Sequence, residues 1–157
     1  MTIWINNRQR TTVLSQEKLR KKAAKILSAL GLSDRELSVT LINDRAMARL
    51  NRETFGRRGP TNVIAFPLDD APSPNGPPAL LGEVVISLQT TRRQAQEFGW
   101  PWQELLDFFL IHGILHLLGY DHEDPAAAAR MDARAWELMS RLYPGRSWAD
   151  ELTEQNI

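Results

Sequence analysis

The sequence of 157 residues contains no cysteine. Disulfide frameworks and thiolate metal sites are therefore excluded, so any transition metal would have to be held by imidazole or carboxylate groups. A chain of this length can bury roughly two thirds of the surface that its unfolded form exposes. We expect a single domain over residues 1–157.

Long hydrophobic runs are also missing. The longest, residues 105–118, is shorter than the roughly 20 residues that a membrane span needs, and Asp107, His112 and His116 interrupt it. Residues 1–7 contain no basic stretch followed by an apolar run, which argues against a signal peptide. These absences favour a cytoplasmic protein without a membrane partner.

Net charge is missing as well, because 19 lysines and arginines balance 19 aspartates and glutamates. A neutral chain argues against strong nonspecific binding of nucleic acid, but the basic residues are clustered. The clusters are Lys18, Arg20, Lys21 and Lys22; Arg52, Arg57 and Arg58; and Arg92 and Arg93. They could form a basic surface that binds RNA phosphates, with solvated helix faces as the alternative.

Histidine is scarce, yet all three histidines lie between positions 112 and 122 with the spacing H-x-x-x-H-x-x-G-x-x-H. Residues four apart lie on one face of a helix, so His112 and His116 could bind one ion. His122 could reach the same ion only if the helix ended before it. Gly119 can adopt the left-handed conformation that ends a helix.

Three neutral imidazoles are typical zinc ligands, and three protein ligands leave a fourth position for water or substrate, as in catalytic sites. A lone buried histidine is more often a hydrogen-bonded core residue, but two unpaired imidazoles in an apolar run would be costly to bury. We therefore predict one zinc ion held by His112, His116 and His122. Another divalent metal stays open, because imidazole also binds nickel, iron and copper.

Gly113 occupies the position where zinc peptidases of the H-E-x-x-H type carry their general base. Peptide cleavage therefore loses support. Hydrolysis of a substrate that needs less help from a base remains a hypothesis. RNA, with its 2′-hydroxyl, is one such substrate.

Three blocks of sequence carry a family resemblance. They are HGILHLLGYDH at residues 112–122; LNRE, a glycine and PTNVIAFP within residues 50–67; and LGEVVIS at residues 81–87. Together they resemble the YbeY family of bacterial rRNA-maturation endoribonucleases over about residues 37–143. The resemblance implies a zinc-dependent endoribonuclease specific for single strands, acting in 16S rRNA 3′-end processing and ribosome quality control. It also implies rRNA and the small ribosomal subunit as partners, and no DNA.

Two positions depart from the family pattern. Phe55 stands where the family usually has an arginine that serves activity, and Ala65 replaces the usual serine. Arg57 and Arg58 follow in the same loop and are our candidates for the catalytic charge on the phosphate. Solvation in an exposed loop is the alternative role for both arginines.

Three carboxylates are candidates for supporting roles. Asp121 or Asp107 could accept the second ring proton of a metal ligand and fix its tautomer, with an exposed loop carboxylate and a helix charge as the plain alternatives. Glu83 is a weak candidate for the general base, a role that the sequence leaves open.

Two other functions stay open. A zinc hydrolase of amide or ester bonds would use the same three ligands. A ribosome-assembly factor would bind RNA and hold zinc only for structure. Three ligands instead of four argue against a structural zinc, unless an Asp or Glu completes the shell.

Caps, periodicity and helix breakers predict the secondary structure. Strands are expected at residues 2–6, 37–42, 63–68 and 83–87, and helices at 15–30, 43–54, 87–98, 101–118 and 125–142. Prolines and a glycine predict an exposed connection at 69–78, and the tail 149–157 is expected to be frayed. The expected fold is α+β, with a mixed sheet of about four strands, about five helices and a central helix that carries the histidines.

Overall fold

The computed structural model describes residues 2–68 and 79–146. The predicted connection 69–78 and the predicted tail 149–157 lie outside the described residues. In chain order the elements are β1 (Ile3–Asn7), α1 (Gln16–Ala29), β2 (Glu36–Ile42), α2 (Asp44–Phe55), β3 (Val63–Pro67), β4 (Leu80–Ser87), α3 (Leu88–Phe98), α4 (Trp102–Leu117) and α5 (Pro125–Leu142). The predicted α+β class, with a four-stranded mixed sheet and five helices, is confirmed for this part of the chain.

Side-chain caps begin several helices at the positions that the sequence indicates. Ser15 and Asn43 each accept a hydrogen bond from a backbone N–H in the first turn of α1 and α2. Asp124 caps α5, whose first residue is Pro125. Helix α4 differs from the prediction, because Pro101 is its N-cap instead of its first residue and no side chain caps it.

Strand β4 begins at Leu80, earlier than the predicted residue 83. Gly82 lies where the pairing of β4 with β2 shifts register, between Glu36 and Ser38 of β2. A β-carbon added to Gly82 would lie 2.5 Å from the Phe66 carbonyl oxygen, so glycine permits the close approach of β3. Sequence patterns treat a glycine as a break in a strand, which explains the shorter prediction.

The strands lie in the order β1-β2-β4-β3. Strands β1, β2 and β4 are parallel, whereas β3 runs antiparallel to β4 along the edge of the sheet. Val84 of β4 pairs with Val39 of β2 on one side and with Ala65 of β3 on the other. Helix α4 packs against β3 and β4, so the histidine helix lies beside this edge.

The two faces of the sheet contribute to different hydrophobic clusters. Val84 and Ile86 face α4 and belong to the main hydrophobic cluster. Side chains alternate along a strand, so Val85 points the other way. It belongs to a smaller cluster beneath α2, whose buried members are Ile42, Met47, Ile64 and Val85.

Helix α4 is covered on nearly every side, which agrees with the expected central helix. Phe109, Leu110 and Ile111 are consecutive and fully buried, which one helix face alone could not achieve. Helices α1, α3 and α5 and the sheet all contact it. None of the helices in the described residues has the length and apolar composition that a membrane span requires.

Candidate metal centre

A Schellman turn ends α4 between the second and third histidines. The N–H of Gly119 donates to the His116 carbonyl at 3.0 Å, and the N–H of Tyr120 donates to the Leu115 carbonyl at 3.0 Å. Gly119 has φ of 93°, a left-handed conformation that glycine adopts readily. The predicted end of the helix at Gly119 is confirmed, and the chain turns so that His122 returns beside α4.

The three imidazoles converge on one point. Nε2 of His112 lies 3.0 Å from Nε2 of His116. The ring centroid of His122 lies 5.2 Å from that of His112 and 5.8 Å from that of His116. One ring nitrogen from each residue can be chosen so that all three lie within 4.8 Å of one another. This group could hold a metal ion.

Burial keeps the deeper imidazoles neutral. It lowers the pKa of His112 to about 3, and the charges of His116 and His122 add to the effect. Burial also lowers the pKa of His116, against opposing contributions from the Tyr120 backbone and Asp121. Because neutral imidazole is the form that binds a metal, this donor set fits a zinc-type ion at neutral pH.

A backbone carbonyl orients one of the rings. The His116 ring donates a hydrogen bond to the Tyr120 backbone, while its Nε2 faces His112. Such a contact fixes the tautomer of a metal ligand. Asp121 was one of two candidates for this role, with an exposed loop carboxylate as the alternative. It is exposed, and its Oδ1 accepts from the backbone N–H of His122 at 2.6 Å, which agrees with the alternative. Sequence reasoning missed Tyr120, since a backbone carbonyl leaves no signal in the sequence.

Asp107 takes neither of its predicted roles. It is 1% exposed, and its Oδ2 accepts hydrogen bonds from Lys22 Nζ at 2.7 Å and from the Tyr143 hydroxyl. These contacts join α4 to α1 and to the end of α5. The predictions of a ligand-supporting carboxylate and of a solvated helix charge are both wrong, because a carboxylate buried between helices needs its own partners. Lys22 likewise serves this ion pair instead of a solvated basic cluster.

Glu83 faces away from the histidines. Its Oε2 accepts hydrogen bonds from Ser38 Oγ at 3.2 Å and from Thr40 Oγ1 at 3.4 Å, both on β2. The next residue, Val84, faces α4, so alternation places Glu83 on the other side of the sheet. The suggestion that Glu83 is the general base is therefore wrong.

Gly113 faces the sheet. A β-carbon added there would lie 2.5 Å from Cγ1 of Val84 and 3.3 Å from Cγ2 of Val63. A glutamate at this position would force α4 away from β3 and β4. The lack of a peptidase-type base thus follows from the close packing of the helix on the sheet.

A cleft of about 630 Å³ opens beside His116. Its lining includes His116 and Asp121 from the end of α4 and its turn, and Arg57 and Arg58 from the loop after α2. The remaining lining residues are Asn51, Phe55, Pro60, Thr61, Val63, Ile64 and Ala65. The structure therefore brings both candidate arginines to the cleft that contains His116.

Asn51 holds the arginine loop in place. The left-handed Gly56, with φ of 66°, ends α2, and the chain then passes Arg57 and Arg58. The buried Asn51 donates from Nδ2 to the carbonyl of Gly59, the residue after Arg58, at 3.0 Å, which ties the middle of the loop to α2. Sequence reasoning gave Asn51 no role. The available signal was a polar side chain among residues that face the interior.

The other basic clusters lie outside this cleft. Arg93 forms an ion pair with Asp44 at 2.9 Å, and the Arg92 guanidinium lies 5.7 Å from the centre of the Trp102 ring. Lys18 lines a separate pocket between α1 and α4. These residues do not extend the basic wall that Arg57 and Arg58 form.

Comparison with known proteins agrees with this architecture. The profile of the family described as endoribonuclease YbeY matches residues 4–143. A Geobacter metallireducens protein named endoribonuclease YbeY is 44% identical over 144 residues, which cover 90% of this chain and 96% of that protein. A relative of the same name from Geobacter sulfurreducens is 42% identical over 147 residues, covering 92% of this chain and 98% of the relative.

A solved structure shares the fold. The solution structure of a Thermotoga maritima protein matches with a TM-score of 0.59 and 25% identity, covering 92% of this chain and 99% of that one. The match of the family profile extends over both the histidine turn and the arginine loop. The chain belongs to the endoribonuclease YbeY family.

Proposed function

We propose that this protein is a zinc-dependent endoribonuclease that cuts single-stranded rRNA. It would act on the small ribosomal subunit in the cytoplasm, in 16S rRNA 3′-end processing and ribosome quality control. The observation that carries the proposal is the shared cleft of His116, Arg57 and Arg58. The names of the similar Geobacter proteins support RNA as the substrate.

The metal would be held by His112, His116 and His122, whose ring nitrogens converge. A bound zinc ion supplies a Lewis acid that activates water and polarises a phosphate oxygen. Within the described residues, the convergent group consists of the three histidines without a carboxylate. This composition supports a site with an open coordination position over a closed structural site.

Arg57 and Arg58 would bind the scissile phosphate and stabilise the negative charge that develops during cleavage. Both line the cleft beside His116. Phe55 occupies the family's arginine position and carries no charge, so Arg57 and Arg58, which come after Gly56 in the same loop, take over that role. Asn51 supports them by fixing the loop that they belong to.

An unpaired strand suits this site. Single-stranded RNA can splay its bases and bring its backbone into a cleft, whereas a duplex presents a stiff surface. Gly113 packs on the sheet and Glu83 faces the opposite side, so neither can act as a base here. RNA offers a 2′-hydroxyl of its own, and a DNA strand of the same sequence is therefore the natural control.

The substrate is tested by incubating the zinc-loaded full chain with four candidate substrates and measuring the cleavage of each. They are a single-stranded fragment of the 16S rRNA 3′ end, the same fragment in a duplex, single-stranded DNA and casein. We expect cleavage of the single-stranded RNA alone, and none by His112→Ala. Cleavage of casein instead of RNA would favour the amide or ester hydrolase. RNA binding without cleavage would favour the assembly factor.

The metal is tested by elemental analysis of the purified chain. We expect one zinc per wild-type chain and little in His116→Ala, with circular dichroism showing that the variant remains folded. Full metal content in folded His116→Ala would overturn the assigned site. Metal-free protein reloaded with zinc, nickel, iron or copper then shows which ion restores cleavage.

A further inference from the structure

Phe55 has an exposed apolar side chain in the cleft that contains His116. It is 51% exposed and is the last residue of helix α2. Among the described residues, the exposed large hydrophobic side chains are Trp4, Val13, Phe55 and Leu68. Of these four, Phe55 is the one that lines the cleft with His116. Neither hydrophobic cluster includes it.

The ring is positioned by its own loop. The left-handed turn at Gly56 reverses the chain directly after Phe55. This turn places the Arg57 guanidinium 5.7 Å from the centre of the Phe55 ring. An aromatic face and a cation therefore stand together in the wall of the cleft, and the loop that carries them is tied to α2 through Asn51.

This pairing matches the chemistry of an unpaired nucleotide. Proteins that bind single-stranded RNA commonly stack a base on an aromatic ring while basic groups bind the backbone. A packing role would bury the Phe55 ring, but half of it stays accessible. A site that bound RNA through charge alone would not need an exposed aromatic ring at this point of the cleft.

We propose that Phe55 is a base-stacking residue, on which one unpaired base next to the cleaved phosphate rests while Arg57 and Arg58 bind the phosphate. The inference rests on the proposed function, since it takes single-stranded RNA as the occupant of this cleft. It gives a physical source of strand selectivity, because a base still paired within a duplex cannot lie on the ring. Compared with the arginine that the family usually has at this position, Phe55 carries no charge but offers an aromatic surface for an unstacked base.

The test compares Phe55→Leu, which removes the ring but keeps an apolar side chain, with Phe55→Tyr, which keeps the ring. The matched control is Trp4→Leu, because Trp4 is similarly exposed at 55% but lies on β1, at the far edge of the sheet. The probe is a short single-stranded oligonucleotide with 2′-O-methyl sugars and one 2-aminopurine base, checked by gel to remain uncut. Thermal melts confirm that each variant is folded.

We expect binding of wild type, Phe55→Tyr and Trp4→Leu to change the fluorescence of 2-aminopurine, because the base leaves its neighbours in the strand and stacks on the ring. Binding of Phe55→Leu at saturation should not cause this change. Affinity should fall about 5- to 100-fold in Phe55→Leu alone. Removing the base at the stacked position should weaken binding to wild type by a similar factor. Removing the same base should have little further effect on the affinity of Phe55→Leu for the oligonucleotide.

The outcomes separate the two proposals. If Phe55→Leu changed the 2-aminopurine fluorescence as wild type does and bound with unchanged affinity, while wild type still cut single-stranded RNA, the stacking role would be overturned and the proposed function would stand. A wild-type chain that neither binds nor cuts single-stranded RNA would overturn the proposed function itself. Loss of affinity in Trp4→Leu equal to that in Phe55→Leu would also overturn a specific role for Phe55.

Discussion

Gly113 of α4 and Val84 of β4 approach so closely that a β-carbon on the glycine would lie 2.5 Å from Cγ1 of the valine. Both residues are buried between the histidine helix and the sheet. The contact sets how near α4 lies to β3 and β4, and through α4 it sets the position of His112.

Gly113→Ala should therefore destabilise the fold. Overpacking of the interface costs about 1–3 kcal/mol, which outweighs the gain in helix propensity of about 1 kcal/mol when the neighbours cannot move. Urea denaturation measures the change. Val84→Ala in the same chain should recover part of the loss by making room, and an additive double mutant would contradict the contact.

Lys22→Met should destabilise the protein at neutral pH, because it leaves the buried Asp107 without its cation. Removal of one partner from a buried ion pair costs about 3 kcal/mol or more. The double variant Lys22→Met/Asp107→Leu should recover most of this loss, since it leaves no buried charge. The control is Lys25→Met, an exposed lysine of the same helix, with an expected change within about 0.5 kcal/mol.

The loss of unfolding free energy caused by Lys22→Met should depend on pH. Burial raises the pKa of Asp107 in the folded protein, although hydrogen bonds from Lys22 and Tyr143 and the charge of Lys22 oppose the rise. A carboxyl group with a raised pKa favours folding below its ordinary pKa, and this contribution is lost as pH rises through the raised value. Lys22→Met removes an opposing contribution and raises the pKa further.

The difference in unfolding free energy between wild type and Lys22→Met should thus be small near about pH 4 and widen toward about pH 7. Denaturation curves across this range provide the measurement. A difference that stays constant with pH would show that Asp107 does not titrate within it. When both chains also carry Asp107→Asn, the difference caused by Lys22→Met should no longer widen with pH.

Gly119→Ala should weaken metal binding through the position of His122. A side chain at φ of 93° costs about 1–2 kcal/mol, and relaxation of the turn displaces the third ligand. We expect about tenfold or greater loss of zinc affinity in a chelator competition. Gly99→Ala is the matched control, because Gly99 ends α3 with φ of 73° and also has open space around it. It should lose similar stability and keep its zinc affinity.

Arg57→Ala/Arg58→Ala should reduce the rate of RNA cleavage by about 100-fold, because the charge that develops on the phosphate loses its cationic partners. Zinc content and unfolding free energy should stay near wild type, since both arginines are exposed. Lys21→Ala/Lys25→Ala, a pair of exposed lysines on α1, is the control for general loss of positive charge. Unchanged cleavage by the arginine variant would remove the proposed catalytic role of this loop.

The sequence predicted the parts of this protein that depend on neighbouring residues. Ser15, Asn43 and Gly119 act over one helical turn, so their capping roles are visible in the order of the residues. The histidine group is equally local, because helix geometry and one glycine turn are enough to bring His112, His116 and His122 together.

Tertiary structure alone decided the roles that depend on distant residues. Asp107 meets Lys22 only because α1 packs on α4, and Glu83 meets Ser38 only because β2 lies beside β4. The direction of Gly113 toward Val84, and the cleft that joins Arg57 to His116, likewise follow from how α4 packs on the sheet edge. Local backbone geometry is encoded by adjacent side chains, whereas the face that a side chain presents depends on contacts between elements far apart in the chain.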